Sequence, residues 1–324
     1  MRNMKKYDVT ALGELLIDFT YAGASEQGNS LLEANPGGAP CNVLAMLNKC
    51  GKSTNFIGKV GKDQFGYLLR DTLEELKIGT DGLCFDGEVK TTLAFVKNFE
   101  NGDRDFAFYR NPGADMMLTE TEVDERQIKD SRMFHFGTLS MTHEGVCAAT
   151  QKAVDVAGRA GVLISFDPNL RVPLWKDLKE AKEKITYGLS KCDVCKISEE
   201  EVEFVTGEKD IEKGAQILRE RFPVKLLLVT AGAEGSYAFY KGFKVYQESF
   251  KLGGTIETTG AGDTFCGSIL YQLLERDLEN LTEEDLKEML VFANAAAYLV
   301  TTKKGAIRSM PELDEVLRIV DENK

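Results

Sequence analysis

Residues 257–265, ETTGAGDTF, place two threonines, a Gly-Ala-Gly run and one carboxylate ahead of a strongly apolar segment, TFCGSILYQLLE. In that segment Phe265, Ile269 and Leu273 fall on one stripe, and Leu270 and Leu274 widen it, which predicts a helix buried on one side. Gly260, Ala261 and Gly262 then sit at or just before a helix N-terminus. There free N–H groups and the positive end of the dipole favour an anion, and glycine lets it approach the backbone closely. With Asp263 beside it, such a loop could run phosphoryl transfer. The amides would stabilise charge developing on the migrating group, and the carboxylate would take the proton of the attacking hydroxyl. A facing phosphate would repel that carboxylate and make it a stronger base. Aspartate is also a preferred N-cap, a role that needs only Asp263 and leaves the glycines without a purpose.

Neither common nucleotide loop accounts for the run. The Gly51-Lys52-Ser53 triplet lacks the earlier glycine of a P-loop, Met46 standing there, and Gly260-x-Gly262 continues to Phe265 instead of a third glycine.

Short apolar runs must position this loop. VTALGELLIDF, STNFIGKVG, SRMFHFGTLS, GVLISFDPN, CDVCKIS and KLLLVTAGA read as strands. Between several of them lie helical patterns at 144–160, 178–190 and 211–221. Apolar strands separated by helices imply an α/β fold with a mostly parallel sheet covered on both faces, in one domain spanning 1–324. In such sheets ligands sit beyond the carboxyl ends of the strands. Asp18, Asp167-Pro168-Asn169 and Thr230-Ala231-Gly232 fall at those ends. TTLAFVKNFENGDRDFAFYR breaks the pattern, with Asn101-Gly102 between aromatic-rich runs, a hairpin signal. A lone hairpin is barely stable, so it is expected to join residues 19–34 in a small sheet, with 85–112 as the second segment of a lid. An edge hairpin on the main sheet is the plainer alternative.

Composition sets the class. The 324 residues are 43% hydrophobic and 28% charged, as in a globular protein, and the net charge of −12 argues against nucleic acid or an anionic membrane as partner. No 18-residue apolar stretch occurs, and the first residues do not read as a signal peptide. Seven scattered cysteines suit a reducing, cytoplasmic setting, and Cys192-x-x-Cys195 reads as a buried strand end. His135 and His143 read as structural.

Taken together, ETTGAGDTF and NPGGAPCNVLAMLNKCG (residues 35–51) resemble the two signatures of the ribokinase-like (PfkB) carbohydrate kinases, and most of all those of fructokinases. Matching features run from about residue 8 to 311. The resemblance implies a three-layer α/β/α sandwich with a β-sheet lid. By it, Asp263 is the catalytic base and Gly260, Ala261 and Gly262 form the anion hole. Asp18, Gly37, Gly38 and Asn42 hold the sugar, Arg171 lies near the phosphoryl path, and Arg110 reaches in from the lid. Thr230, Gly232, Gly235 and Asn294 serve ATP. Ser198 stands where the family often has asparagine in an N-x-x-E motif, and Glu201 keeps the acid that acts on Mg²⁺ through water. A potassium ion in many relatives corresponds to Glu257, Thr259, Val300, Gly305 and Ser309. Glu257 replaces the usual aspartate.

The resulting expectation is an ATP-dependent fructokinase acting on the 6-hydroxyl, as a homodimer through the lid. The alternatives are a 2-keto-3-deoxygluconate kinase, which shares the Asp-x-Asn-x-Arg-x-x-Leu-Trp pattern, then a ribokinase or nucleoside kinase, and outside enzymes a sugar-binding regulator.

Overall fold

A computed structural model describes residues 5–98 and 104–323. The first apolar run is not one strand. It splits at Gly13 into β1 (Tyr7–Leu12) and β2 (Leu16–Ala24), because the chain leaves one sheet there and enters another. The larger sheet takes β1, β4 (Thr54–Gly61), β5 (Ile78–Asp86), β8 (Ser131–Gly137), β9 (Leu163–Asp167), β10 (Val194–Ser198), β11 (Leu226–Thr230), β12 (Gly235–Tyr240) and β13 (Phe243–Glu248). Its order is β13-β12-β11-β10-β9-β8-β1-β4-β5, parallel from β5 to β11 and closed by an antiparallel meander at β12 and β13. The smaller sheet has β3 (Ser30–Gly37), β2, β6 (Leu93–Asn98) and β7 (Arg104–Tyr109) in that order. The predicted hairpin therefore pairs with the N-terminal segment and not with the main sheet's edge; its Asn101-Gly102 turn lies outside the described residues.

Strand residues alternate between two helical layers, as the pleat requires. In β11, Leu226 and Leu228 join the core beneath α1 (Ala39–Lys49), α2 (Gln64–Glu75), α8 (Ala261–Leu274), α9 (Glu283–Thr301) and α10 (Leu313–Glu322). Leu227 and Val229 point the other way, into the layer of α3 (Glu125–Lys129), α4 (Glu144–Arg159), α5 (Leu178–Lys191), α6 (Glu199–Thr206) and α7 (Ile211–Arg221). The three predicted helices are α4, α5 and α7. Only α8 departs from expectation. Wedged between α1, α9 and the sheet, it is buried nearly all round, Asp263 to Leu270 without a break. Among the described residues no helix is long and apolar enough to cross a membrane.

Candidate active site

The first turn of α8 opens into a cleft of about 440 Å³ at the carboxyl ends of the parallel strands. Gly260, in the left-handed region at φ 77°, is the N-cap, and Ala261 is the first helical residue. Asp263 thus lies inside the first turn and makes no capping bond, so the capping role is set aside. The amides of Gly262 and Asp263 have no carbonyl four residues back within the helix. That of Ala261 donates to the Thr258 carbonyl at 3.3 Å.

Asp263 is buried, and its Oδ2 accepts from Asn42 Nδ2 at 2.8 Å. Burial pushes the carboxyl up from its ordinary range, while the Asn42 bond, Lys196 and Arg171 pull against that rise. Asn42 is in place because α1 begins at a tight crossing. Its N-cap, Gly38, has φ 131° and ψ 125°, and a Cβ there would lie 3.1 Å from the Glu14 carbonyl carbon. Glu14 closes that crossing by accepting from the Ala39 amide at 2.8 Å. Asp18, on β2, completes this end of the cleft. Burial raises it to about 7, Arg171 opposes the rise, and the charges of Glu257 and Asp263 add to it.

The other end of the cleft is lined by Ser198, Thr230, Gly232, Gly235 and Asn294. Asn294 on α9 is fixed by Ser236 Oγ, to which its Nδ2 donates at 3.0 Å, and by the Gln247 carbonyl at 3.3 Å. The cleft therefore runs from a wall carrying Glu14 and Asp18, past a carboxylate with amides, to glycines and an amide side chain.

The pfkB family carbohydrate kinase profile matches residues 6–313. The chain belongs to that family. It is 40% identical over 315 residues to fructokinase-2 of Solanum habrochaites, covering 96% of this chain and 95% of the relative. Among solved structures it resembles the fructokinase with bound ATP from Xylella fastidiosa, with TM-score 0.88, 30% identity and coverage of 98% and 99% of the two chains. It also resembles the fructokinase from Vibrio cholerae O395 in its fructose, ADP and calcium ion bound form, with TM-score 0.86, 29% identity and coverage of 96% and 98%. As a pfkB carbohydrate kinase, this enzyme is an ATP-dependent sugar kinase whose nucleotide works with a divalent metal.

Not every residue expected at the pfkB site reaches the cleft. Arg110 does not line it. Its guanidinium holds Asp115 at 2.6 Å and the Leu139 carbonyl at 3.0 Å, and the Arg110 and Asp115 side chains are only 3% and 1% exposed. Gly37 lies behind the wall, against Asp18. Glu201 is buried, not solvated at a helix start. Its two oxygens accept from the Leu170 and Ser198 amides at 2.8 and 2.9 Å, and Ser198 caps α6 in return. Its neighbour Glu200 lines the cleft in its place. Among the described residues no group of three or more His, Cys, Asp or Glu side chains that could hold a metal ion occurs.

Of the potassium candidates, Glu257, Thr259 and Gly305 surround a second cavity of about 10 Å³, together with Asp18, Thr20 and Asn35. Oxygen donors around a space of one-water size fit a hard cation. Glu257 Oε1 accepts from the Gly305 amide at 2.9 Å. Val300, inside α9, and Ser309, bonded to the Lys304 carbonyl, do not line this cavity.

Sequence reasoning passed over Glu14, Phe108 and Lys196, all of which line the cleft. A lysine inside the apolar run CDVCKIS was the available signal, since lysine is almost never buried without a partner. The histidines are structural: His135 is buried against Ser165 and held down to about 3, and His143 caps α4. Cys192 and Cys195 are buried free thiols.

Proposed function

We propose that this kinase transfers the γ-phosphate of ATP to the 6-hydroxyl of D-fructose, giving fructose 6-phosphate and ADP. The observation that carries the reading is the Asp263 carboxylate, held by Asn42 beside the first-turn amides of α8 in a cleft that continues to Asp18 on one side and Asn294 on the other. The Asp18 carboxylate and Asn42 hold the sugar hydroxyls. Asp263 takes the proton of the attacking hydroxyl, and the Gly260–Gly262 amides stabilise the charge gathering on the phosphoryl oxygens. Arg171 lies along the path of the migrating group. Thr230, Gly232, Gly235 and Asn294 hold the nucleotide. Mg²⁺ on the nucleotide would supply charge neutralisation at the phosphates, with Glu200 nearby on the cleft wall, and K⁺ would sit in the small cavity at Glu257.

A neutral polyol suits the acceptor end better than a sugar acid does. That wall carries Glu14 and Asp18, and Arg110 is engaged by Asp115, which leaves Arg171 as the arginine facing them. The smaller sheet acts as the lid, placing Phe108 on the cleft, and its exposed Tyr21, Leu31, Leu32 and Tyr109 form a dimer face. Seven free cysteines support a cytoplasmic setting.

The test is ADP release over fructose, 2-keto-3-deoxygluconate, ribose, glucose and adenosine, with and without K⁺. Fructose should have the highest kcat/KM; preference for 2-keto-3-deoxygluconate would install the sugar-acid reading. Asp263→Asn should lose several orders of magnitude in turnover and keep sugar affinity. A regulator would bind sugar and ignore the change. Sedimentation of Tyr21→Asp as monomer beside a wild-type dimer checks the face.

A further inference from the structure

Strand β10 inserts a cation beneath the catalytic loop. Its pleat sends Cys195 and Ile197 into the α4–α7 layer and turns Val194 and Lys196 toward α8. The Lys196 side chain is 9% exposed, and its Nζ is anchored by both Asp167 oxygens, at 3.1 and 3.3 Å. The same nitrogen lies 3.0 Å from where a Cβ on residue 262 would stand. Gly262 has no positive φ, so helical backbone does not demand glycine there; a Cβ would instead press on the Lys196 ammonium, which would have to give by a few tenths of an ångström. One residue further along is Asp263.

We propose that Lys196 is a positioning residue of phosphoryl transfer: fixed by Asp167 under Gly262, its ammonium supplies the permanent positive charge that holds the adjoining Asp263 carboxylate in its proton-accepting form. This rests on the fructokinase reading and adds a second support to the base, beside the Asn42 hydrogen bond. The electrostatics agree with the geometry. Burial works against the ammonium, but Asp167, Glu201 and Asp263 outweigh it and raise Lys196, so it stays charged throughout the working pH range. Around Asp263, Lys196 from β10 and Arg171 from the loop after β9 favour ionisation, and Asp18 from β2 and Asp167 from β9 oppose it. Arg171 is exposed to water and its field is screened; Lys196 is buried and its field is not.

The test follows the Asp263 side-chain carboxyl by NMR in full-length protein labelled with ¹³Cγ-aspartate, the resonance being assigned by its loss in Asp263→Asn. Lys196→Met should move the titration midpoint upward by about one pH unit, the lower end of the effect of a nearby opposite charge. If the single variant fails to fold, Lys196→Met is made in an Asp167→Asn background, and its midpoint should lie about one pH unit above that of Asp167→Asn alone. The acidic limb of kcat/KM for fructose should move with it, a loss of about tenfold on the acid side, and the two profiles should meet at alkaline pH. A midpoint unchanged in the folded variant overturns the proposal, whatever happens to turnover. The midpoint needs no acceptor, so an enzyme that ignored fructose would sink the substrate reading and leave the Lys196 result standing.

Discussion

Replacing Asn42 with leucine, close in volume and without a donor, removes the bond that Asp263 accepts at 2.8 Å. Both side chains are buried, so water does not substitute freely. A hydrogen bond to a buried charge contributes about 1.5–3 kcal/mol. Only the ionised carboxylate benefits fully, so its loss raises the Asp263 pKa by about 1–2 units at 1.36 kcal/mol each. The assay is kcat/KM for fructose between about pH 5 and 10, which reports the free enzyme's groups. The acidic limb should shift upward by that amount, leaving the variant roughly 10–100-fold behind on the acid side. Asn42 Oδ1 has no partner among the described residues, so leucine also removes one acceptor for a sugar hydroxyl. That adds a loss of about 1 kcal/mol, roughly fivefold and independent of pH. Parallel profiles, with a constant deficit at every pH, would refute the claim that Asn42 governs the ionisation of the base.

Three other outcomes are expected. Folding raises Asp18 from 3.8 to about 7, chiefly through burial, so its favourable contribution is complete below pH 4 and drains away as pH climbs through 7. Asp18→Asn should therefore match wild type in unfolding free energy by denaturant titration near pH 4 and exceed it at pH 8, by at most about 4 kcal/mol, while sugar binding is lost. Arg110→Met leaves Asp115 buried without its cation and should cost about 3–5 kcal/mol by denaturant titration; a cost under about 1 kcal/mol would mean that Thr92, its other partner, is enough. Gly38→Ala meets both a φ of 131° and the Glu14–Leu15 backbone, so it should lose about 1–3 kcal/mol in stability and raise the KM for fructose.

The cleft's main axis was readable because chemistry there depends on local signals. The Gly-Ala-Gly-Asp run, a helix start and strands ending in polar residues each announce themselves within ten residues. The small sheet was readable for a similar reason, since a hairpin that cannot stand alone must find a partner. What escaped depends on pairing across the fold. The fates of Arg110 and Glu201 were decided by Asp115 and by the Leu170 amide, and no spacing rule reports such partners. The all-round burial of α8 came from neighbours on both sides, although Phe265, Ile269 and Leu273 alone suggest a single face. The β1–β2 boundary was hidden because GELLIDF continues the apolar run while the chain changes sheets.

That change of sheets has a mechanical result. Leu16 lines the cleft, and two residues on, Asp18 is already paired with Asn35 of β3 and Ala94 of β6. Under the proposed function, the carboxylate that takes the sugar is thus stitched into the smaller sheet itself, and a well-fitting hydroxyl would load that sheet along β2. An acceptor that fails to load Asp18 would then leave the smaller sheet slack and the nucleotide open to water, so wasteful ATP hydrolysis should track poor fit at this one carboxylate.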